Sequence, residues 1–413
     1  MKPLLPPHSR RVSLCHRGTD RSVQPGLFPL PLNLPFPGSW WVLATNPVRL
    51  GLLALTMCAT DLLAATAPPE NGPTASWNPR SAAAYLDGRM EWWLTWQPAS
   101  RDRETSCISC HTSLPYALAR PALRRTLAEP DIPAPERRML EHVVKRVRLW
   151  RDVEPFYPDQ TRGLPKTSES RGTEAILNVL ILAGRDAENG ALSDDTRQAF
   201  GNLWALQLRT GDQKGAWAWL NFHNEPWEAN GSPYFGAALA AIAVSRAPGG
   251  YASAPGIQDQ LKLLRDYLQR GADTEHLFNR MMGLWASTQL PGFLTPAQRQ
   301  STVDSAIGKQ RDDGGWSSAA LGPWKRRDGT PLDEKSDGFA TGLAVLVLQR
   351  AGFTPADAPV RRGLTWLVQH QDATTGRWFA ASLNKSRDPA SDVGKLMSDA
   401  ATASAVLALT YEP

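Results

Sequence analysis

Helical spacing dominates the hydrophobic pattern of this chain. Apolar residues return every three or four positions through 139–150, 176–182, 237–244, 277–285, 342–348 and 401–409, the period that lays a stripe along an α-helix. Strand-type alternation of β-branched and polar residues is scarce, so the pattern predicts an all-α protein.

Within this pattern the apolar segments share a second property, an abundance of Gly, Ala and Ser. Small-residue helices are expected at 114–119, 172–177, 235–240, 281–286, 340–345 and 401–406. Their separation of roughly 45 to 65 residues is the length of two helices with their loops. Six such units predict an α/α toroid of about six helical hairpins forming a single barrel, with the small residues letting inner helices approach closely.

The connecting segments carry a signature of their own. Gln310 is followed by Gly314, Gly315 and Trp316, Gln371 by Gly376 and Trp378, and Gln207 by Gly215 and Trp217. The fullest copy adds Arg362, Gly363, Trp366 and Leu367 before Gln371. This resembles the QW repeat of squalene-hopene and oxidosqualene cyclases and covers 203–409. The resemblance implies an α/α toroid in which Gln and Trp tie outer helices to the following turn.

The family's chemistry does not carry over. Cyclases that protonate an alkene use an Asp-x-Asp-Asp cluster in which neighbours keep one acid protonated, and no such cluster occurs here. The pairs Asp194-Asp195 and Asp312-Asp313 read as turn and cap residues. A prenyltransferase-like toroid holding zinc through Asp, Cys and His is excluded, because no cysteine follows Cys110. Polar residues nevertheless recur before the small-residue helices, at Glu169-Ser170, Ser336-Asp337 and Ser398-Asp399. They read as helix caps, or as carboxylates gathered at one mouth of the ring. On the second reading Glu174, Tyr234, Asn279, Arg280, Asp337 and Asp399 are candidate cavity-lining residues.

The strongest chemical motif lies ahead of the repeats, in Cys107-Ile108-Ser109-Cys110-His111. Two thiols three positions apart reach the two vinyl groups on one porphyrin edge, and the adjoining imidazole then coordinates iron, so the spacing predicts one covalent haem c on Cys107 and Cys110 with His111 as metal ligand. Three other uses of the pair stay open: a thioredoxin-like dithiol, which follows a strand and opens a helix; structural zinc, which needs further ligands; and a plain disulfide. Met90, Met139, His142 and His223 are available as a second iron ligand, and none is assigned. Arg101, Arg103, Arg120 and Arg124 flank the motif and match propionate carboxylates in fork geometry. The run Trp92, Trp93 and Trp96 either shields a haem edge or packs the first helix.

Charge and cysteine usage then place the chain. Residues 1–67 hold six Lys/Arg against two Asp/Glu, and the rest is within one charge of neutrality, so the basic balance belongs mostly to 1–67 and does not argue for nucleic acid, which is not expected as a partner. Residues 1–40 are rich in proline; Arg49, the apolar run 50–59 and small residues at 65 and 67 form a secretory signal pattern with cleavage after Ala67. The expected organisation is a disordered extension and signal peptide over 1–67, a motif-bearing segment over 68–135 that opens the toroid, and the toroid over 136–413. Export to a periplasmic or extracellular location follows, and no stretch reaches the roughly 18 apolar residues of a membrane-spanning helix. The functional expectation is an exported c-type-haem protein with a redox or binding role toward a hydrophobic, isoprenoid-like small molecule, served by a redox partner. Two other expectations are a non-catalytic electron-relay module and a carbohydrate-active toroid, which needs facing carboxylates about 5 to 10 Å apart.

Overall fold

A computed structural model describes residues 76–412, which fall within one compact unit. The expected leader over 1–67 lies outside the described residues. Helices account for nearly all the regular structure: α1 (Pro79–Thr95), α2 (Ser113–Thr126), α3 (Ala134–Arg148), α4 (Asp159–Arg162), α5 (Lys166–Asn189), α6 (Asp194–Ala205), α7 (Ser232–Arg246), α8 (Gln258–Gly271), α9 (Leu277–Gln289), α10 (Pro296–Ile307), α11 (Gly338–Arg350), α12 (Ala358–Gln369) and α13 (Leu396–Leu409). The all-α expectation is met, with one addition. A small antiparallel ribbon, β1 (Ser100–Arg101) and β2 (Thr105–Ser106), stands just before Cys107, and four paired residues are too few to show alternation in sequence. The boundary expected at residue 135 falls inside α3.

Local chemistry sets the helix ends. Asn78 caps α1 by accepting from the Ser81 amide at 3.0 Å, with Pro79 pre-set for the first turn. Thr295 and Gln298 form a reciprocal capping box on α10. Asp337 caps α11, accepting from the Phe339 and Ala340 amides at 3.0 Å each. The other two expected caps are not caps: α5 begins at Lys166 and α13 at Leu396, which places Glu169 and Ser398-Asp399 inside the first turns and Ser170 just after.

Two kinds of helix result. In α7, α11 and α13 nearly every residue is buried, as befits segments without a polar face. In α8 only Leu261, Leu264 and Leu268 are buried, one stripe at helical spacing. The small-residue segments lie in α2, α5, α7, α9, α11 and α13, and these pack as the pairs α2–α5, α5–α7, α7–α9, α9–α11, α11–α13 and α13–α2. The amphipathic helices cover them: α6 packs on α5, α8 on α7, α10 on α9, α12 on α11, and α1 on α2 and α13. Gly342 permits a close approach of α11 to α13, since a β-carbon there would stand 2.5 Å from the Ala405 amide nitrogen on α13.

The Gln-Gly-Trp loops share one hydrogen-bond scheme. Trp217, Trp316 and Trp378 are fully buried and donate from Nε1 to the carbonyls of Leu203, Ala306 and Leu367 at 2.7, 2.7 and 2.8 Å. Gln207, Gln310 and Gln371 each donate to the glycine carbonyl before the Trp-bearing turn at 3.0, 2.9 and 2.9 Å. The same amides reach the start of the next outer helix, at Gln260 O, Pro359 O and Asn78 O, each at 2.9 Å. The last of these joins the end of the chain to its first described helix. Among the described residues no helix is long and apolar enough to cross a membrane.

Candidate functional site

The ribbon delivers the motif. Cys107 donates its amide to Ala99 O at 2.8 Å, and its carbonyl accepts from Trp93 Nε1 at 2.6 Å, which fixes the turn against α1. Ser109 Oγ then accepts from the Thr112 and Ser113 amides at 3.2 and 3.1 Å, so the pentapeptide itself caps α2.

Cys107 and Cys110 are buried and not joined to one another. Burial pushes both thiols up, Cys107 to about 11, and the Glu228 carboxylate adds to the effect on each. A short strand does precede them and α2 follows, as in a thioredoxin-like dithiol; yet such exchange needs a depressed, accessible thiolate, and these are the reverse. Among the described residues no group of three or more His, Cys, Asp or Glu side chains could hold a metal ion, so the zinc alternative has no ligand set there.

His111 is anchored through one ring nitrogen. Its Nδ1 lies 3.0 Å from Thr112 Oγ1, and that hydroxyl donates to Asp399 Oδ2 at 2.7 Å. With its hydrogen committed, the hydroxyl accepts from His111, which assigns the hydrogen to Nδ1 and the lone pair to Nε2. Asp399 is held in turn by Tyr85 Oη and Arg89 Nε, each at 2.8 Å. Burial, with Arg89 and Arg387 nearby, lowers His111 to about 3 and keeps the ring neutral. The edge of Trp93 packs against it at 5.0 Å between centroids.

His111 lines a pocket of about 100 Å3 with Asn224, Trp227, Glu228, Asn384, Arg387 and Met397 among its walls. Burial raises Glu228 to about 7. The loop bearing Trp227 is latched by Asn384, which accepts from the Glu225 amide at 2.6 Å and donates to its carbonyl at 2.8 Å. Trp227 also bounds a second cavity of about 60 Å3 inside the packed helices, walled by Cys110, Leu114, Phe235, Phe278, Trp285 and Phe339 among others.

The six expected cavity residues lie elsewhere. Glu174 is sealed in an ion pair with Arg146, both side chains 0% exposed. Tyr234 Oη donates to Leu268 O at 3.1 Å, and Asn279 donates to Gly231 O and Glu275 at 2.8 and 2.7 Å. Arg280 reaches outward to Ser301 Oγ at 2.9 Å. Asp337 caps α11 and lines a separate pocket, and Asp399 anchors His111 through Thr112. The walls of the 60 Å3 cavity include none of the six.

The flanking residues sort just as clearly. Arg120 pairs with Asp87 and Glu129, and Arg124 with Glu136 and Glu188, so neither is free for another anion. Arg103 points out beside Asp102, whereas Arg101 lies over the Tyr157 ring with Nε unpartnered among the described residues. Met90 and Met139 are core residues, His142 is bonded to Ser106 at 2.9 Å, and His223 is exposed. Met397, Glu228 and Arg387, which do share the pocket of His111, were not singled out from sequence. The one signal for Met397 is its place beside Ser398-Asp399.

The donor atoms therefore fit a c-type haem: two unjoined thiols, and an imidazole whose tautomer is fixed through a carboxylate, as ligating histidines require. The room does not fit in this conformation. Pockets for molecules of that size run to about 300 Å3 or more, against cavities of about 100 and 60 Å3 bounded on both sides by Trp227. No known protein family matches the chain, and no curated protein matches it.

Proposed function

We propose that the chain is an exported c-type-haem protein, with Cys107 and Cys110 as attachment sites and His111 as iron ligand, carried on a single α/α toroid. The observation that carries the reading is the pairing of unjoined thiols with an adjacent neutral imidazole whose Nδ1 is tied to Asp399 through Thr112. When bound, the group supplies a one-electron couple. The chain's own part is to hold Nε2 unprotonated, to shield the site with Trp93, and to offer Arg101 and Arg387 as cations for the propionates. Trp227 walls both small cavities, on a loop held by the two Asn384 hydrogen bonds.

The toroid reading is supported by the cyclic order of helix pairs, which returns from α13 to α2, and by the Gln371 contact with Asn78. The central cavity, about 60 Å3 and almost wholly apolar, has no room for an isoprenoid-sized ligand. That smallness favours electron relay to a partner over catalysis on a bulky apolar substrate. It also holds no facing carboxylates of the kind a carbohydrate-active toroid needs.

The test is expression with export and a haem-maturation system, followed by an absorption spectrum of the denatured, dialysed protein. Retained haem is expected in the wild type, and it is expected to be lost in the Cys107→Ala, Cys110→Ala double variant. A wild-type protein matured under those conditions without covalent haem would overturn the reading. Mass analysis of the mature chain checks export separately, through a start at Pro68.

A further inference from the structure

The helices α2, α5, α7, α11 and α13 bring their C-terminal residues together around a second, larger opening of about 710 Å3. This is the end away from the motif, since Cys110 and His111 precede the first turn of α2 while Arg124 and Arg125 close its last. Four guanidinium groups, Arg124, Arg125, Arg246 and Arg350, line it against two carboxylates, Glu188 and Glu412. Glu188 is already engaged by Arg124 and Arg125 at 2.6 and 3.1 Å.

Arg246 and Arg350 are the unusual pair. Neither is bonded to a carboxylate or a carbonyl among the described residues, and Arg350 Nε is buried without an acceptor. Arg350 is held in place by aromatic faces, its guanidinium 5.4 Å from the Trp285 ring and 5.3 Å from the Tyr411 ring. Trp285 has a buried Nε1 hydrogen that also lacks an acceptor there. Arg246 is half-buried, and desolvation with the repulsion of Arg350 and Arg125 pushes it down to about 10.

Converging helix C-termini carry partial negative charge, which offsets part of this cost. They do not use the donors, because neither guanidinium hydrogen-bonds a terminal carbonyl. An unfilled set of charge-assisted donors at the wall of an opening this large is a receptor for an oxyanion. We propose that Arg246 and Arg350 bind a phosphate-class oxyanion, free or as the headgroup of a lipid, at this mouth. The site is independent of the Cys107–His111 reading.

Thermal unfolding of the full chain in rising inorganic phosphate, at constant ionic strength set with chloride, tests it. Ligand that binds only the folded state raises the midpoint with concentration, so the wild type is expected to gain stability. Arg246→Gln and Arg350→Gln are each expected to weaken the response by about tenfold or more, the effect of losing one charge-assisted bond. Both variants are expected to match or exceed the wild-type midpoint in chloride alone, because each removes a partly buried cation that has no carboxylate partner among the described residues. Arg80→Gln, at an exposed position on α1, is expected to respond as the wild type. Flotation with phosphatidylcholine vesicles containing phosphatidic acid separates the two sources: binding to vesicles without a response to free phosphate assigns the headgroup. A phosphate response, or in its absence vesicle binding, that is equal in Arg246→Gln, Arg350→Gln and wild type would overturn the proposal, as would no response to either phosphate or vesicles.

Discussion

The ion pair between Arg146 and Glu174 gives the sharpest test of how this chain uses its buried charge. Both side chains are fully buried, and Arg146 spends its donors on Glu174 through Nε and Nη2, on Thr105 Oγ1 at 2.9 Å and on Glu154 O at 2.7 Å, while its guanidinium lies over Phe156 at 4.5 Å. Glu174→Leu strands a guanidinium with no counter-charge; Arg146→Met strands a carboxylate whose nearest remaining cation is Arg171 at 3.7 Å. Breaking a buried pair from one side costs about 3 to 5 kcal/mol, and each single variant is expected to fall in that range. Removing both charges leaves Thr105 Oγ1 and Glu154 O without their donor, at about 1 kcal/mol each, and takes from the partly exposed Arg171 its counter-charge at 3.7 Å, worth about 1 kcal/mol or less. The double variant is therefore expected to cost about 2 to 3 kcal/mol, well below the sum of the singles. Urea unfolding of all four proteins measures the cycle. Singles costing under about 1 kcal/mol, or a double variant costing the full sum, would refute the reasoning. The same cycle tells a structural Glu174 from a cavity acid, because a cavity acid tolerates loss of its charge without loss of stability.

Three further expectations follow from individual contacts. Gln371→Leu removes three hydrogen bonds, two of them to Asn78 at 2.6 and 2.9 Å; it is expected to cost about 2 kcal/mol and to speed amide exchange in the first turn of α1, and unchanged exchange there would count against the role given to Gln371. Gly342→Ala sets a β-carbon 2.5 Å from the α13 backbone, and about 1 to 3 kcal/mol of overpacking is expected in denaturant unfolding, so a neutral result would show the two helices to be looser than described. His276 accepts from the Asn279 amide at 3.4 Å through Nδ1, and burial lowers it to about 4. A depressed histidine gives stability that is fully present above pH 6.5 and is lost as pH falls toward 4. With its partial exposure discounted, about 1 to 2 kcal/mol is expected to disappear over that window and to be absent from the His276→Asn curve.

How much of this was legible beforehand depends on the sequence distance between partners. The three Gln-Gly-Trp loops could be read because Gln, the left-handed glycine and Trp act within one turn, with φ of 100°, 90° and 76° at Gly215, Gly314 and Gly376. Of the six small-residue helices, α7, α11 and α13 could be read because burial on nearly all sides removes polar residues from most faces, whereas α2, α5 and α9 keep a polar side and were legible from their small residues. The ribbon could not be read, being two residues a side. Charge was visible only as position along the chain: Asp337 proved a cap as expected, but nothing local told Glu174 that its partner lies 28 residues back, or Asp399 that it meets Arg89 across 310.

That last separation bears on when the motif becomes a site. Cys107, Cys110 and His111 are local, yet what orients the imidazole is Asp399, and what walls its pocket includes Met397, both from the first turn of the last helix. Gln371 makes the same connection from outside, binding Asn78 just before α1. A chain stopped before Leu396 keeps the pentapeptide and the cap on α2 but loses the carboxylate that fixes the Nδ1 hydrogen. In that chain Thr112 is free to donate to His111, the lone pair moves to Nδ1, and Nε2 turns from acceptor to donor. Asp399→Asn makes the same change without truncation, since its Oδ2 position can then present an amide to Thr112. Proton-detected imidazole NMR on the full-length variant is expected to show the hydrogen on Nε2, against Nδ1 in the wild type. Finding Nδ1 protonated in both would mean that the ring is oriented by its own turn, and that α1 and α13 meet for stability alone.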